Sequence, residues 1–239
     1  MNADDPSLAV LIPAYNEADV IADTIAAAKE IHHVSQIIVI DDGSVDDTGK
    51  KAVMAGAKVI RFKHNMGKGA ALREGYAYVD QADIVLFLDA DTGNTAKQAS
   101  LLIQPLLEDR ADVTIARFVC NETYKMHGGF GIVKGIAHWG IKVLTGQRLE
   151  SVLSGQRAFK KAVLDKIGIR YNGYGIELGM SADILRAGYR VMEIDVAMVH
   201  RYSGRDVKGF IHRFRQFIDI LMAILAVSLS RRRRSTWYI

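Results

Sequence analysis

The stretch Asp83-Ile84-Val85-Leu86-Phe87-Leu88-Asp89-Ala90-Asp91 decides the fold of this 239-residue chain. It is an unbroken apolar run that ends abruptly in two carboxylates. A run of this length predicts a strand buried on both faces, as in parallel sheets that are covered by helices. Ligands of such sheets bind at the carboxyl ends of the strands, so Asp89 and Asp91 are predicted to lie at a functional site.

The spacing of these two carboxylates favours metal binding. In an extended chain, residues i and i+2 point the same way, which would bring Asp89 and Asp91 together. Two hard oxygen ligands suit Mg2+ or Mn2+, and an ion held in this way usually binds substrate phosphates as well. The alternative is a solvated strand end with a turn, because Asp is common in turns.

Strand and helix patterns alternate strictly over residues 8–117. The predicted strands cover residues 8–12, 36–40, 58–62, 83–88 and 112–117, and Pro13 is expected to stop the first of them. The predicted helices cover residues 18–31, 46–55, 67–79 and 96–108. This order predicts a doubly wound, Rossmann-like α/β fold with a mostly parallel sheet.

The composition is that of an ordinary globular protein, with 49% hydrophobic and 24% charged residues. A single cysteine, Cys120, rules out an internal disulfide and fits a reducing compartment. No signal-peptide pattern is visible, so we expect a cytoplasmic protein. The net charge of +4 is concentrated in the C-terminal half, which favours anionic partners there, and we predict no nucleic-acid partner.

Two common nucleotide-binding motifs do not occur in the sequence. Gly67-Lys68-Gly69 lacks the spacing of a P-loop and its following Ser or Thr, and no G-x-G-x-x-G follows the first predicted strand. These observations exclude a P-loop ATPase and a dinucleotide-dependent dehydrogenase.

The region after residue 117 is less regular. Residues 128–144 predict a helix with apolar residues on one face and Lys134, His138 and Lys142 on another. Core packing is the simpler explanation of that apolar face, and the alternative is a basic amphipathic helix that lies at a membrane surface together with the last helix of the chain. A polar loop is then predicted at 154–159, a helix at 178–185 and a strand at 190–199.

The last segment, residues 207–239, predicts an amphipathic helix. It becomes apolar all round from Ile220 and is followed by Arg231-Arg232-Arg233-Arg234. The fully apolar part is about half the length needed to span a bilayer, which takes about 20 residues. An apolar helix with a polybasic end predicts binding to an anionic membrane surface. Packing on the domain, or on a second subunit of a homo-oligomer, is the alternative.

Four short motifs fall in order at successive strand ends. They are Pro13-Ala14-Tyr15-Asn16-Glu17, Asp41-Asp42-Gly43-Ser44-Val45-Asp46-Asp47-Thr48, Asn65-Met66-Gly67-Lys68-Gly69 and Asp89-Ala90-Asp91. Together they resemble the family 2 glycosyltransferases of the GT-A fold, over about residues 8 to 117. The resemblance implies transfer of a sugar from a nucleotide-sugar donor.

The same resemblance implies a role for each motif in donor binding. The first would line the base and ribose, and Asp42 or Asp41 would accept a hydrogen bond from the base. Lys68 would approach the nucleotide, and the D-x-D would hold the metal on the diphosphate. The implied donor-binding residues are Pro13, Ala14, Tyr15, Glu17, Asp41, Asp42, Lys68, Asp89 and Ala90.

The C-terminal half resembles two subfamilies that use different acceptors. Ser154-Gly155-Gln156-Arg157-Ala158-Phe159 is similar to the Ser-Gly-Phe-Arg segment of polyprenyl-phosphate glycosyltransferases such as dolichol-phosphate mannose synthase. In this chain Gln156 replaces the aromatic residue, and Ser151 stands where Asp is usual. Gly173-Tyr174-Gly175-Ile176-Glu177-Leu178-Gly179, with the later His200, is similar to glucosyl-3-phosphoglycerate synthases.

These two resemblances imply further roles. Glu177 would face the acceptor, and Glu177 and Arg157 would be catalytic. His200 would join Asp89 and Asp91 as a metal ligand, with a surface imidazole as the alternative. Arginine side chains bind phosphate oxygens well, so some are expected at the acceptor. The expected acceptor-binding residues are Ser154, Gly155, Gln156, Arg201 and Arg205.

The sequence therefore predicts a metal-dependent glycosyltransferase. It would move a sugar such as glucose from a UDP-sugar to a polyprenyl phosphate, at the inner face of the cell membrane. Transfer to a small soluble phosphorylated acceptor and a nucleotide-sugar-binding protein without turnover are the alternatives. The predicted domain covers residues 1–206, with a nucleotide-sugar half at 8–117 and an acceptor half at 118–206, and the amphipathic segment follows at 207–239.

Overall fold

Seven strands form one sheet in the order β3-β2-β1-β4-β6-β5-β7. The computed structural model of the chain describes residues 5–119, 130–198, 218–219 and 221–228. β6 is antiparallel to both of its neighbours, and the other pairs are parallel, so the predicted mostly parallel α/β sheet is confirmed. The strands are β1 (Leu8–Ala14), β2 (Val34–Asp41), β3 (Lys58–Arg61), β4 (Ile84–Phe87), β5 (Val113–Phe118), β6 (Arg157–Lys160) and β7 (Val191–Val196).

Helices cover both faces of the sheet and create two separate cores. One core contains apolar residues of α3, α5, α6 and α7, and the other contains those of α1, α2 and α4. The helices are α1 (Ile21–Lys29), α2 (Thr48–Met54), α3 (Lys68–Ala77), α4 (Ser100–Leu107), α5 (Phe130–Thr145), α6 (Lys161–Ile167) and α7 (Ile176–Arg186). Two 3-10 helices cover Ala90–Ala99 and Gly173–Gly175. Residues 218–219 and 221–228 are also helical.

The strand that follows Asp83 has the predicted position. All four residues of β4 are buried, and β4 pairs with β1 on one side and β6 on the other. A strand with neighbours on both sides and helices on both faces offers no polar environment, which explains the unbroken apolar run. The carboxyl end of β4 leads to Asp89. We call the surface at the carboxyl ends of β1, β2 and β4 the crevice.

The prediction that Pro13 ends the first strand is wrong. β1 continues to Ala14, in register with Asp41 of β2. Along β1, the O atom of Ala14 accepts a hydrogen bond from Asp42 N, just after β2, whereas the O atom of Leu11 accepts from Leu88 N, just after β4. By alternation, the missing N–H of Pro13 faces the β4 side, where pairing has already stopped at Leu11. A proline is tolerated there because no ladder bond is lost.

The prediction of a polar loop at 154–159 is also wrong for residues 157–159. Residues 157–160 form β6, which lies between β4 and β5. Arg157, Ala158 and Phe159 are all buried. The polar residues hid the strand, because a buried glutamine and arginine do not produce an apolar pattern.

Helix α5 differs from the expected core helix in the direction of its apolar side chains. Val133 and Leu144 are buried, as predicted, but Trp139 is 60% and Val143 is 57% exposed. The helix therefore has apolar residues on two sides, and only one side packs on the core.

No helix in the described part of the chain is long and apolar enough to cross a membrane. Several sequence-based expectations lie outside the described residues. They concern Cys120, His200, Arg201, Arg205, residues 207–217 and the arginines 231–234.

Candidate active site

A three-residue ion cluster joins the two halves of the chain at the carboxyl end of the sheet. Lys68 is the first residue of α3, Asp89 follows β4, and Glu177 lies in the first turn of α7. The Lys68 Nζ atom lies 2.6 Å from Asp89 Oδ1 and 3.0 Å from Glu177 Oε1. The D-x-D motif and the proposed acceptor-facing acid thus meet at one ammonium group.

The cluster fixes the charge state of its lysine. Burial would lower the pKa of Lys68, but Asp89 and Glu177 outweigh burial and raise the pKa above its ordinary value. Lys68 therefore remains an ammonium ion at neutral pH. Its side chain is 27% exposed, so the cluster still borders the crevice.

Gly155 allows the cluster to form. A Cβ atom at this position would lie 2.2 Å from Lys68 Nζ and 2.8 Å from Asp89 Oδ2. No side chain fits there without displacing the lysine. The segment that resembles the Ser-Gly-Phe-Arg motif therefore contributes a close backbone approach to the site.

The two acids predicted to bind the base are engaged by the protein itself. Asp42 accepts hydrogen bonds from Met66 N (2.6 Å) and Gly67 N (2.8 Å). Asp41 is fully buried and accepts from Ser44 N at 2.9 Å. Asp42 thereby positions the loop that leads into Lys68, and burial raises the pKa of its carboxyl.

The motif after β1 lies beside the end of β2. Asn16 has a positive φ of 56°, its N–H donates to Ser44 Oγ, and its Oδ1 accepts from Val45 N. Glu17 N donates to Thr48 Oγ1 at 2.8 Å. Tyr15 is 46% exposed, so its ring is available at the crevice, next to Pro13 and Ala14 in β1.

The D-x-D segment does not have the predicted extended conformation. Asp89 is extended, but a 3-10 helix begins at Ala90, so strand alternation cannot align Asp91 with Asp89. Thr24 of α1 holds this turn: its hydroxyl donates to Ala90 O at 2.7 Å and accepts from Gly93 N at 2.8 Å. No pattern in the sequence connects Thr24 with the D-x-D, because the two meet only through the fold.

The donor set of Asp89 and Asp91 fits a hard divalent ion. Carboxylate oxygens are the ligands that Mg2+ and Mn2+ prefer, and a diphosphate and waters commonly complete the shell. Among the described residues, no group of three His, Cys, Asp or Glu side chains is arranged to hold a metal. The remaining ligands would therefore come from the substrate or from outside the described residues.

Arg157 is 1% exposed and is bonded inside the protein. Its Nε donates to Ser154 O, its Nη2 to Val152 O and its Nη1 to Ser181 Oγ, at 2.7 to 2.9 Å. Ser181 in turn donates to Glu177 O. Burial lowers the pKa of Arg157 to about 10. The expected contact of this guanidinium with a phosphate would require these bonds to be broken.

Two residues close to Arg157 in the chain have buried polar side chains that form no hydrogen bond with the described residues. Among the residues that the structure describes, neither amide atom of Gln156 has a hydrogen-bond partner, and Gln156 is completely buried. Within the same residues, the Ser154 hydroxyl also has no hydrogen-bond partner. Neither side chain is exposed enough to bind an acceptor directly in this conformation, although both were expected to.

A model of the family described as Glycosyl transferase family 2 matches residues 9–166. The protein is a family 2 glycosyltransferase. This glycosyltransferase is 31% identical over 200 residues to Glycosyltransferase AglJ of Haloferax volcanii, covering 84% of this chain and 65% of that protein. The chain therefore spans about two thirds of the length of that relative.

A second relative and a solved structure are similar to this chain and are named for different acceptors. The glycosyltransferase is 30% identical over 183 residues to a UDP-N-acetylglucosamine--dolichyl-phosphate N-acetylglucosaminyltransferase of Methanococcus voltae, covering 67% of this chain and 72% of the relative. Its fold matches glucosyl-3-phosphoglycerate synthase from Mycobacterium tuberculosis, solved with Mn2+, UDP and phosphoglyceric acid. That match has a TM-score of 0.76 and 25% identity, and covers 93% of this chain and 78% of the other. The GT-A fold is thereby confirmed.

Proposed function

We propose that this glycosyltransferase moves a sugar, glucose in the simplest case, from a UDP-sugar to a polyprenyl phosphate at the cytoplasmic face of the membrane. The name of the Methanococcus voltae relative combines a UDP-sugar donor with a lipid phosphate acceptor, which supports both halves of the proposal. The observation that carries the choice of a lipid acceptor is an exposed apolar surface beside the crevice.

Helix α5 and the helical segment 221–228 lie side by side and run in the same direction. A Cβ on Gly140 of α5 would lie 2.7 Å from Ile224 Cδ1. One turn later, Arg186 donates both to Leu144 O (3.0 Å) and to Val227 O (2.9 Å). From the first contact to the second, the residue numbers increase in both helices, from Gly140 to Leu144 and from Ile224 to Val227. The two helices are therefore parallel.

Parallel helices that touch at these positions place their exposed apolar residues on one side. Relative to Gly140, Trp139 and Val143 lie on one flank of α5, and Leu221 and Leu225 lie on the same flank of the neighbouring segment. The opposite flanks are buried against the domain. We call the exposed side the apolar face, and its members are Trp139, Val143, Ile218, Leu221, Met222 and Leu225, each 39% to 60% exposed.

An exposed surface of six large apolar residues is unusual for a soluble monomer and marks an interaction site. In the sequence, Arg231-Arg232-Arg233-Arg234 follows segment 221–228, and an apolar helix with a polybasic end favours anionic membranes. A polyprenyl phosphate presents its phosphate at the headgroup level, so an enzyme that lies on the membrane gains access to it. The acceptor phosphate is already ionised near neutral pH, and transfer to it needs no strong general base.

Asp89 and Asp91 are the residues that would hold Mg2+ or Mn2+. A bound ion would act as a Lewis acid on the departing diphosphate. Lys68 keeps a positive charge beside Asp89, and we propose that it binds a donor phosphate oxygen from there. Glu177 would orient Lys68, and Arg157 would position Gly155 and the first turn of α7 without contacting substrate.

A second candidate function is transfer to a small soluble phosphorylated acid. It is favoured by the structural match to glucosyl-3-phosphoglycerate synthase. It is also favoured by the 3-10 turn Gly173–Gly175. This turn leads into α7, whose Glu177 forms an ion pair with Lys68. The same donor chemistry would serve either acceptor.

Radiolabelled UDP-glucose with Mn2+, offered with polyprenyl phosphate in vesicles or with 3-phosphoglycerate in solution, tests the proposal. We expect label in the organic-extractable fraction, and no transfer by the Asp91→Asn variant. Label that stays in the aqueous phase as a glucosylated phosphoglycerate would overturn the lipid acceptor and support the second candidate. Other UDP-sugars in the same assay identify the sugar.

A further inference from the structure

A cavity of about 560 Å³ lies over the last turn of α7, between the ends of α5 and α6. Its lining includes Lys166, Arg170, Asp183 and Arg186. Arg186 is nine residues after Glu177 on the same helix, which corresponds to about 14 Å along the axis. The cavity is therefore separate from the crevice, and a ligand in it could not react with the donor sugar.

The charge of the cavity is positive and only partly compensated. Within the described part of the chain, Asp183 is the one carboxylate in the lining, and it accepts a hydrogen bond from Tyr171 Oη at 2.9 Å. Arg186 is bonded to the carbonyl groups at the ends of two helices. Lys166 and Arg170 are exposed, and neither has a carboxylate partner among the described residues.

Helix capping does not explain all of these cations. Basic residues in the last turn of a helix interact favourably with its dipole, and this accounts for Arg186 and for Lys166 of α6. Arg170 lies in no helix, three residues beyond the end of α6. A concave site of this volume is in the range that binds small ligands, and its charge selects an anion.

The position of the cavity identifies the source of the anion. Val143 lines the cavity and also belongs to the apolar face, so the two are continuous. A phosphate in the cavity would thus lie at the edge of a surface suited to acyl chains.

We propose that the cavity binds the phosphate of an anionic phospholipid headgroup while the apolar face lies at the bilayer surface. This inference rests on the membrane-facing part of the proposed function and adds to it a headgroup site distinct from the acceptor site. Lys166 and Arg170 would contact the headgroup phosphate. Arg186 would keep the ends of α5 and segment 221–228 together around it.

Sedimentation with vesicles tests this site. The double variant Lys166→Gln/Arg170→Gln is compared with Lys50→Gln/Lys97→Gln, which removes two exposed charges from helices on the other face of the sheet. Each base near an anionic surface contributes a factor of about five to binding, so we expect the first pair to lose roughly 30-fold on phosphatidylglycerol vesicles. The control pair should lose much less, and both proteins should keep the wild-type Tm and donor hydrolysis.

Four results would overturn the headgroup site. Equal losses for the two pairs would reduce it to general charge attraction. Unchanged binding by the Lys166/Arg170 variant would show that these residues face no lipid. Saturable binding of inorganic phosphate at the cavity, with vesicle binding unaffected, would assign the site to a soluble anion. The wild-type protein could fail to bind phosphatidylglycerol vesicles and still form a lipid-linked product in detergent. That result would contradict the headgroup site and support the proposed reaction.

Discussion

At the scale of single residues, the site depends on Lys68 being shared by two acids. Asp89 and Glu177 both lie within 3.0 Å of its Nζ, although they come from opposite halves of the chain. A metal at the D-x-D would compete for the same Asp89 oxygens that now face the ammonium. Binding of the ion and repositioning of Lys68 are therefore expected to be coupled.

Replacing Asp91 by Asn separates metal chemistry from stability. The carboxylate lies in the first turn of a 3-10 helix and is not part of either core, so the free energy of unfolding should change by no more than about 1 kcal/mol. Transfer and metal-dependent donor binding should be lost. Activity assays with and without Mn2+, together with thermal unfolding, give the answer. Full wild-type activity in EDTA would contradict the metal-dependent mechanism.

Replacing Arg157 by Lys should act mainly through the fold. The lysine cannot reach Ser154 O, Val152 O and Ser181 Oγ together, and buried acceptors left without donors cost roughly 3 kcal/mol in all. We expect a lower urea midpoint and a lower kcat, with the KM for the donor nearly unchanged. A large rise in KM at wild-type stability would instead show that Arg157 contacts the substrate.

At the scale of elements, the approach of the 155–157 segment to α3 is the contact that completes the site. Gly155→Ala introduces a Cβ that would lie 2.2 Å from Lys68 Nζ. The flexible lysine can move away, so the fold should be retained with only the modest stability loss of displaced ion pairs, while kcat should fall at least tenfold, an order-of-magnitude expectation for a misplaced charge. Donor hydrolysis and thermal unfolding measure the two effects.

Gly135→Ala is the matched control. A Cβ at Gly135 of α5 meets nothing within 4 Å, and alanine in a helix interior adds up to about 1 kcal/mol of stability. This variant should be as active as the wild type. Equal activity of the two alanine variants would mean that the Lys68 cluster is not needed for turnover.

The sequence predicted the first half of the fold well and the second half poorly, for a physical reason. β4 and its neighbour β1 are apolar throughout, because both are covered on both faces, and such runs are easily recognised. β6 is hidden by Gln156 and Arg157, whose burial depends on partners that only the tertiary structure provides. The D-x-D and Lys68 were identified by their motifs, whereas Thr24 and Ser181 act through contacts that leave no local pattern.

At the scale of the whole molecule, an ion network ties the far edge of the sheet together. Asp112, before β5, accepts from Lys160 of β6 and from the side chain and backbone of Arg190, before β7. Its bonds to Arg190 and Lys160 hold the pKa of Asp112 well below its usual range. Three strands from both halves of the chain are linked through this carboxylate.

This network predicts how stability depends on pH. A carboxyl whose folded-state pKa is depressed stabilises the fold above its unfolded pKa of about 3.9, and the stabilisation is lost as the pH falls below that value. Urea unfolding between pH 7 and pH 3 should show this loss in the wild type. Asp112→Asn should be less stable at pH 7 and lose less on acidification, whereas Asp23→Asn, an exposed change on α1, should follow the wild type. Parallel curves for Asp112→Asn and wild type would show that the network contributes nothing.

The insertion of β6 between β4 and β5 also dictates when the sheet can close during synthesis. β5 has no strand partner until residues 157–160 have left the ribosome, and β4 keeps one bare edge for the same time. At about 5–20 residues per second, the roughly 70 residues between β4 and β6 take some 4 to 15 s to be translated. A strand edge without a partner can form backbone hydrogen bonds with other chains. Nascent chains stalled shortly before residue 157 should therefore be held by chaperones or aggregate, and those stalled well beyond residue 196 should resist protease.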